Sequence, residues 1–410
     1  MNEYIQKTKG FNKFNICNLE KLFLPLAAFF LLISTALLNV FVLLAVICTI
    51  MHLIYERSFS DLISKKFMLY GLLIFLFLAM SLYFTIGDVD SIISSLKKYI
   101  KFLYIPFLYI NINRNKNSDL VIKYFIAGGV VVLFMSYLKY FNFVDLKPIY
   151  DYYNMNLVGT ITQASVFQTS IVHGAIFSFI SYLSIFVAKR DNNKWLYIFS
   201  ALCLINIFFM NDSRNSYIIA SIFIFLIIYY HFYKIKYLFT TLSLLVTFFI
   251  FLSPISENLI KSMHDTNKDI KLLIDKNYTS SIGLRTLWLS IGIQNLNDEP
   301  ILGSGVGSYK NSVQHFLEKN TINVKHDLAI SNNPHNEIVS MSTQLGLFGL
   351  SLYILFLYSL FKEARKRYLA IGAFVIIFVS SFFNSVFYDN VFGLFIVIML
   401  SLVYQKNYLE

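Results

Sequence analysis

The sequence has few charged residues: Asp, Glu, Lys and Arg make up 14% of its 410 residues, against about a quarter in an ordinary globular domain. Apolar residues make up 57%, and the mean hydropathy is +0.62. Because apolar surface in this excess has to face lipid, the composition excludes a cytosolic enzyme and a disordered regulator. The net charge of +11 comes from basic residues scattered between apolar runs, so a nucleic-acid binder is also excluded.

Cysteine is scarce as well. The three cysteines have no metal-ligand spacing and do not lie in a long polar loop. His264, His315 and His326 also lack ligand spacing, so we do not expect a zinc or other metal site. No small-residue cleavage site follows the first apolar run, which predicts an uncleaved polytopic membrane protein. No internal repeat is visible, so a repeat-based transporter has no support.

Twelve stretches are apolar and long enough to cross a bilayer, which takes about 20 residues. The predicted spans run over Leu22–Ala36, Leu38–Ile54, Phe67–Ile86, Tyr99–Ile112, Leu120–Tyr140, Val166–Ala188, Trp195–Met210, Ser216–Phe232, Tyr237–Leu252, Ile338–Phe361, Leu369–Phe383 and Val391–Tyr404. We therefore expect an all-α fold with nine transmembrane helices in residues 1–252, one large loop in 253–334, and three more helices in 335–410.

The distribution of Lys and Arg predicts the orientation. If the N-terminus is inside, the cytoplasmic segments hold far more Lys and Arg than the short outward loops. Both termini are then cytoplasmic, and the loop over 253–334 faces outward. Within this loop, Leu284, Leu287, Trp288 and Ile291 recur at helical spacing, which predicts an amphipathic helix against the membrane domain.

Two arginines lie where an anionic substrate would need them. Arg214 occupies the short outward turn between the seventh and eighth spans, where a guanidinium is costly unless it faces a polar cavity or an anion. Arg285 lies at the start of the loop helix, where free backbone N–H groups favour a phosphate. The planar guanidinium matches phosphate oxygens. Taken alone, Arg214 equally fits an interfacial residue paired with Asp212, and Arg285 a solvated surface residue.

His335 and a lysine group complete the candidates. His335 precedes the tenth span, and an imidazole that titrates near neutrality can take a proton from a hydroxyl nucleophile, although a capping or surface histidine has the same pattern. Lys97, Lys98 and Lys101 lie at the outward mouth of the fourth span. Their spacings of three and four predict pairs on one helical face, where an anionic ligand or lipid headgroups would bind.

A glycine run, Gly303-x-Gly305-x-Gly307, lies in the same loop, before His335. No strand comes before it and no Gly-Lys-Ser/Thr follows, so it does not fit a nucleotide phosphate loop. It predicts a tight turn that lets two backbone segments approach closely.

Together these motifs resemble the O-antigen ligase and polymerase superfamily of bacterial envelope glycosyltransferases. His335-Asn336 is followed after nine residues by Gly346-Leu347-Phe348-Gly349, which matches the family's His-Asn-x9-Gly-x-x-Gly signature. The Arg214 turn, the Arg285 helix and the glycine turn precede it in order, and the outward loop between spans nine and ten resembles the ligase branch. The segment after Gly349 lacks the extra Thr and Gly of some ligases, which leaves a polymerase open.

The resemblance implies a GT-C-like glycosyltransferase of the bacterial inner membrane with a periplasmic active site. Its implied donor is a glycan on undecaprenyl diphosphate, and its implied acceptor is lipid A-core, joined by an inverting transfer without metal or cofactor. The implied roles are a catalytic His335, diphosphate binding by Arg214, Arg285 and Lys101, and support from Asn336, Gly303, Gly305, Gly346 and Gly349.

Three alternatives remain at this point. An O-antigen polymerase would use the same donor with a second lipid-linked repeat as acceptor. A protein-glycan ligase is less favoured because such enzymes tend to carry extra outward domain sequence. A non-catalytic flippase or exporter predicts charged residues along the spans, whereas here the unusual charges gather at the outward ends.

Overall fold

The structure is a computed structural model that describes residues 20–146, 165–231, 257–320, 322, 324, 330–331 and 333–405. Over these residues the regular elements are helices, which agrees with the predicted all-α class. They are α1 (20–30), α2 (Thr35–Glu56), α3 (Lys66–Met80), α4 (Val89–Tyr99), α5 (Lys101–Asn115), α6 (Ser118–Tyr140), α7 (Ser170–Arg190), α8 (Lys194–Ile205), α9 (Arg214–His231), α10 (Glu257–Ile274), α11 (Ser281–Asp298), α12 (Tyr309–Lys319), α13 (Glu337–Ala364), α14 (Tyr368–Ser381) and α15 (Asn390–Val403).

Several of these helices suit a membrane. Five are long and apolar enough to cross one, namely α2, α3 with its short extension to Tyr83, α6, α7 and α13. Four shorter apolar segments, Lys194–Met210, Arg214–Tyr230, Tyr368–Ser381 and Asn390–Val403, match the seventh, eighth, eleventh and twelfth predicted spans. The ninth predicted span, Tyr237–Leu252, lies outside the described residues, so the number of twelve spans stays a prediction.

Packing separates an inner and an outer layer of helices. All residues of α15 after Asn390 are buried, as is 89% of the apolar window of α7. Helix α2, by contrast, leaves Val40, Leu43, Ile47 and Met51 exposed at spacings of three and four. Such an apolar stripe on the outer surface of a bundle is suited to contact with lipid.

Two predicted spans have the wrong boundaries. The run Leu22–Ala36 is divided by a turn at 31–34, where the Ser34 hydroxyl accepts a hydrogen bond from Leu37 N at 3.4 Å and caps α2. The fourth span is divided at Ile100 into α4 and α5, so Lys97 is exposed whereas Lys101 is buried. Hydropathy missed the turn at 31–34 because apolar residues lie on both sides of it, and the spacing of the lysines around Ile100 did not reveal the second break.

A backbone interlock joins the turn after α11 to α13. Gly346 has a non-helical conformation and kinks α13, which frees backbone groups on both sides of the kink. Ser304 N donates to Thr343 O at 3.0 Å and Gly305 N to Gln344 O at 2.9 Å, while Leu347 N and Phe348 N donate to Pro300 O and Ile301 O at 2.8 and 3.2 Å. The turn after α11 therefore satisfies the groups that the kink leaves open.

The same turn also holds the segment between α3 and α4. Ile86 N donates to Ser304 O at 3.1 Å, and the Thr85 hydroxyl donates to Val306 O at 2.7 Å. Gly303 and Gly305 have positive φ values of +70° and +86°, and a Cβ on either would lie within 2.6 Å of backbone. The predicted tight turn with close backbone approach is thus present.

Candidate active site

Arg214, Arg285 and His335 are far apart in the sequence but converge in the structure. The pKa of Arg285 is lowered, first by burial of its side chain and then by the nearby charge of Arg214. The pKa of His335 is lowered in turn by burial and by the charge of Arg285. Such mutual effects require short separations. The structure therefore places Arg285 near both Arg214 and His335, and we call these three predicted site residues the arginine cluster.

Arg214 is presented by the sharp link between α8 and α9. In this link, the Asn211 amide donates to Ser170 O at 3.0 Å, and the Tyr217 hydroxyl donates to Asn211 O, which fixes the start of α9 against α7. The Arg214 Nη1 lies 3.6 Å from Asp269 Oδ2 of α10, and its side chain is 39% exposed. At this distance the two groups attract each other without a good hydrogen bond. The guanidinium is thus positioned but still accessible to an anion.

Arg285 is placed by the start of α11. The Ser280 hydroxyl caps this helix by accepting from Gly283 N at 3.1 Å, and the predicted amphipathic helix extends from Ser281 to Asp298. Leu287 and Trp288 are buried in a small cluster with Val339 of α13. The apolar face of α11 therefore lies against α13, and this contact holds the Arg285 side chain near His335.

His335 lies directly before α13 in a left-handed backbone conformation, with φ of +49°. Its N–H donates to Asn333 Oδ1 at 2.9 Å, and its ring lies 5.3 Å from the Trp288 ring at 32°. A hydrogen bond shared with the Asn384 side chain and the charge of Asp389 raise its pKa, but burial and Arg285 outweigh them. The net lowered pKa keeps the imidazole neutral near pH 7, as a proton acceptor has to be.

Asn336 and Glu337 connect His335 to the link between α14 and α15. The Asn336 Oδ1 caps α13 by accepting from Val339 N at 3.1 Å, and its Nδ2 donates to Phe382 O at 3.2 Å. Glu337 is fully buried, and its carboxylate accepts from Phe387 N at 3.0 Å. These contacts place Asn384 and Asp389, which lie in the same link, beside the imidazole.

Lys101 does not belong to the arginine cluster. It is 2% exposed, and its ammonium donates to Lys98 O and Phe387 O, both at 2.9 Å. Two of its three N–H groups are thus used by backbone carbonyls. The predicted shared face with Lys97 is wrong because the helix breaks at Ile100. Lys101 supports the link between α14 and α15, and its role as a diphosphate ligand stays a prediction without a contact behind it.

The glycines of the signature support the site from a distance. Gly346 forms the kink of α13, and Gly303 and Gly305 form the turn that fills it. Gly349 allows the turn of helix after the kink to pack on Leu345. The nine residues between Asn336 and Gly346 are the first segment of α13, so the signature spacing sets the distance from the helix cap at His335-Asn336 to the interlock.

Sequence reasoning missed Asp389, Asn384 and Trp288. Arg214 was selected as an ionisable residue at the predicted outward end of a span. Asp389 meets the same criterion, because it lies in the link between α14 and α15. Trp288 was counted only in the apolar pattern of α11. Asn384 carries no signal, because its contact with His335 depends on how α14 packs. Among the described residues, no group of three or more His, Cys, Asp or Glu is placed to hold a metal ion.

Residues 199–354 match a family model described as O-antigen ligase. The match begins in α8 and ends in α13, so it includes Arg214, Arg285, His335 and the glycine signature. No curated protein matches the chain. The family match confirms the resemblance drawn from the motifs.

Proposed function

We propose that this protein transfers a glycan from undecaprenyl diphosphate to lipid A-core, a function suggested by the match of residues 199–354 to the O-antigen ligase family model. The superfamily comprises glycosyltransferase-like membrane enzymes of envelope glycan assembly. The convergence of Arg214, Arg285 and His335 in one cluster carries the proposal. In this account the protein lies in the bacterial inner membrane with the cluster on the periplasmic side.

The two arginines suit a diphosphate leaving group. As the bond between the anomeric carbon and the diphosphate oxygen breaks, negative charge develops on that oxygen. Preorganised guanidinium groups in a water-poor cleft stabilise such charge strongly and offer paired N–H donors to phosphate oxygens. The pKa of Arg285 is lowered first by burial and then by the charge of Arg214, and a bound diphosphate would offset the repulsion between the two guanidinium groups.

His335 suits the role of general base. One ring nitrogen is engaged by Asn384, which orients the imidazole for its other nitrogen to accept a proton. The acceptor sugar hydroxyl gives its proton to His335 while its oxygen attacks the anomeric carbon. The new C–O bond forms as the bond to the diphosphate breaks, so a single displacement inverts the anomeric configuration. The donor bond supplies the driving force.

The lipid A-core acceptor is tested by deleting the gene and running lipopolysaccharide and lipid-linked glycan from the deleted and complemented strains on one gel. A ligase predicts bare lipid A-core together with long glycan accumulated on undecaprenyl diphosphate. Lipid A-core capped by a single repeat would instead indicate a polymerase. An unchanged profile would refute both and point to another acceptor or to a carrier.

The residue roles are tested by complementation with Arg285→Ala and His335→Ala, each compared with a control at a neighbouring exposed position, Leu289→Ala. We expect both site variants to lose transfer at normal membrane levels, and the control to retain it. Retained transfer in both site variants would refute the assigned roles.

A further inference from the structure

We propose that a pocket between α11 and α12, lined by both polar and apolar side chains, is a second carbohydrate-binding site, which holds a sugar unit of the glycan away from the reacting bond. The pocket has a volume of about 330 Å³ and is bounded by α11, α12 and the segment before α4. This volume is within the usual range for small-molecule sites. The inference rests on the proposed function for the origin of the sugar, although binding at the pocket is measured separately from transfer.

The lining has the chemistry of sugar recognition. Asp298, Gln294, Asn311 and His315 offer acceptors and donors for hydroxyl groups, and Ile86 and Phe316 offer apolar surface for the C–H face of a sugar ring. Asp298 and His315 are exposed, so their polar atoms are accessible from outside. A carboxylate can accept from two neighbouring hydroxyls at once, a pattern that vicinal diols supply.

The charge of the pocket separates its ligand from that of the arginine cluster. No Lys or Arg lines it, and its one fully charged lining group, Asp298, is negative. A phosphate or diphosphate is therefore disfavoured there, whereas an uncharged hydroxyl-rich group fits. A lipid-linked glycan has an anionic diphosphate and an uncharged sugar part. The arginine cluster suits the diphosphate, and the pocket suits the sugar.

The pocket walls are fixed in advance of binding. Asn295, at the base, donates to Thr343 O at 3.1 Å and accepts from the Ser304 and Ser312 hydroxyls at 3.0 and 2.8 Å. Asn311 Nδ2 donates to Ile86 O at 2.7 Å, which joins α12 to the opposite wall. Because the walls are already ordered, binding does not cost the conformational entropy of ordering them.

The pocket also lies at a suitable place relative to the arginine cluster. Gln294 and Asp298 follow Arg285 by nine and thirteen residues on the same helix, which corresponds to roughly 13 to 20 Å along its axis. That separation exceeds one sugar ring, so a sugar in the pocket would be several units from the anomeric centre. It belongs either to the donor glycan or to the acceptor core.

Binding of two probes to the full-length protein in lipid nanodiscs tests the proposal. One probe is the repeat-unit oligosaccharide released from the lipid donor by mild acid, and the other is delipidated core oligosaccharide. We expect one of them to bind the wild type, and to bind Asp298→Ala and Gln294→Ala about tenfold more weakly, as for the loss of a hydrogen bond to a charged or well-placed group. Binding of the repeat unit assigns the pocket to the donor, and binding of the core oligosaccharide assigns it to the acceptor.

Matched variants separate the pocket from the surface and from the arginine cluster. Asn297→Ala and Glu299→Ala change exposed neighbours that do not line the pocket, and both should bind the probe as the wild type does. Arg285→Ala should also bind it normally while transfer is lost. If neither probe binds, or if the pocket variants bind as the controls do, the pocket proposal is overturned. If Arg285→Ala and His335→Ala retain transfer, the proposed function fails instead, whatever the pocket binds.

Discussion

Replacing Gly346 with alanine should destabilise the protein by about 2 to 6 kcal/mol. The backbone of Gly346 has φ +61° and ψ −159°, a region that is essentially restricted to glycine and costs other residues about 1 to 3 kcal/mol. A Cβ there would lie 2.4 Å from Ile301 O and 2.6 Å from Gly303 N. Since both are backbone atoms of the interlock, relief of the clash has to disrupt some of its four hydrogen bonds. Losing two of them costs about another 1 to 3 kcal/mol.

A loss of this size is a large part of the usual 5 to 15 kcal/mol of total stability. Because the interlock holds the first segment of α13, we expect glycan transfer to fall together with stability. The matched control is Gly71→Ala in α3, where the nearest atoms, Ile105 Cδ1 and Phe102 O, lie 3.5 Å from the new Cβ. This control should be neutral or stabilising by up to about 1 kcal/mol, since alanine favours helix over glycine.

The measurement is the thermal unfolding midpoint of each purified variant in one detergent, with transfer activity measured on the same preparations. We expect a markedly lower midpoint and reduced transfer for Gly346→Ala, and neither change for Gly71→Ala. A Gly346→Ala protein with the unfolding midpoint and activity of the wild type would refute the account of the kink as a structural requirement.

Three further predictions concern the surroundings of His335. Because its pKa is lowered from 6.5, the neutral base persists into mildly acidic solution, so the acid limb of the kcat/KM profile should lie below pH 6.5 and disappear in His335→Gln. Asp389→Asn keeps the cap on Phe392 N but removes a charge that raises the pKa of His335, so this limb should move to lower pH; a move upward would contradict the assignment. Asn336→Ser keeps the cap of α13 but loses the hydrogen bond to Phe382 O, so it should lower the free energy of unfolding by about 1 kcal/mol. Asn336→Ala loses the cap as well and should lower it by about 2 kcal/mol.

Much of the local structure could be predicted from the sequence. The apolar pattern around Trp288 predicted α11, and the alternating glycines at 303 to 307 predicted a turn with close backbone approach. The signature spacing from His335 to Gly346 was recognised as a motif, but its physical meaning was not. Only the structure relates the nine intervening residues to a helix segment between a cap and a kink.

The contacts of the site were harder to predict. The proximity of Arg214 and Arg285 depends on how α10 packs beside α11 and beside the segment Asn206–Met210 that precedes α9, and neither spacing nor hydropathy contains that information. Lys101 was grouped with Lys97 because a helix was assumed to continue through Ile100, where it breaks. The spacing of the three lysines cannot locate such a break, and it cannot show which lysine turns inward to backbone carbonyls.

We propose that Arg214, Arg285 and His335 form one site for glycan transfer from a polyprenyl diphosphate. The most direct test reconstitutes the purified protein in liposomes with an undecaprenyl-diphosphate-linked glycan and a lipid A-core acceptor, and measures the ligated glycolipid and the released undecaprenyl diphosphate. We expect equal amounts of both products from the wild type, and loss of both from Arg214→Ala, Arg285→Ala and His335→Ala proteins that remain folded. Transfer at the wild-type rate by any two of these variants would contradict it.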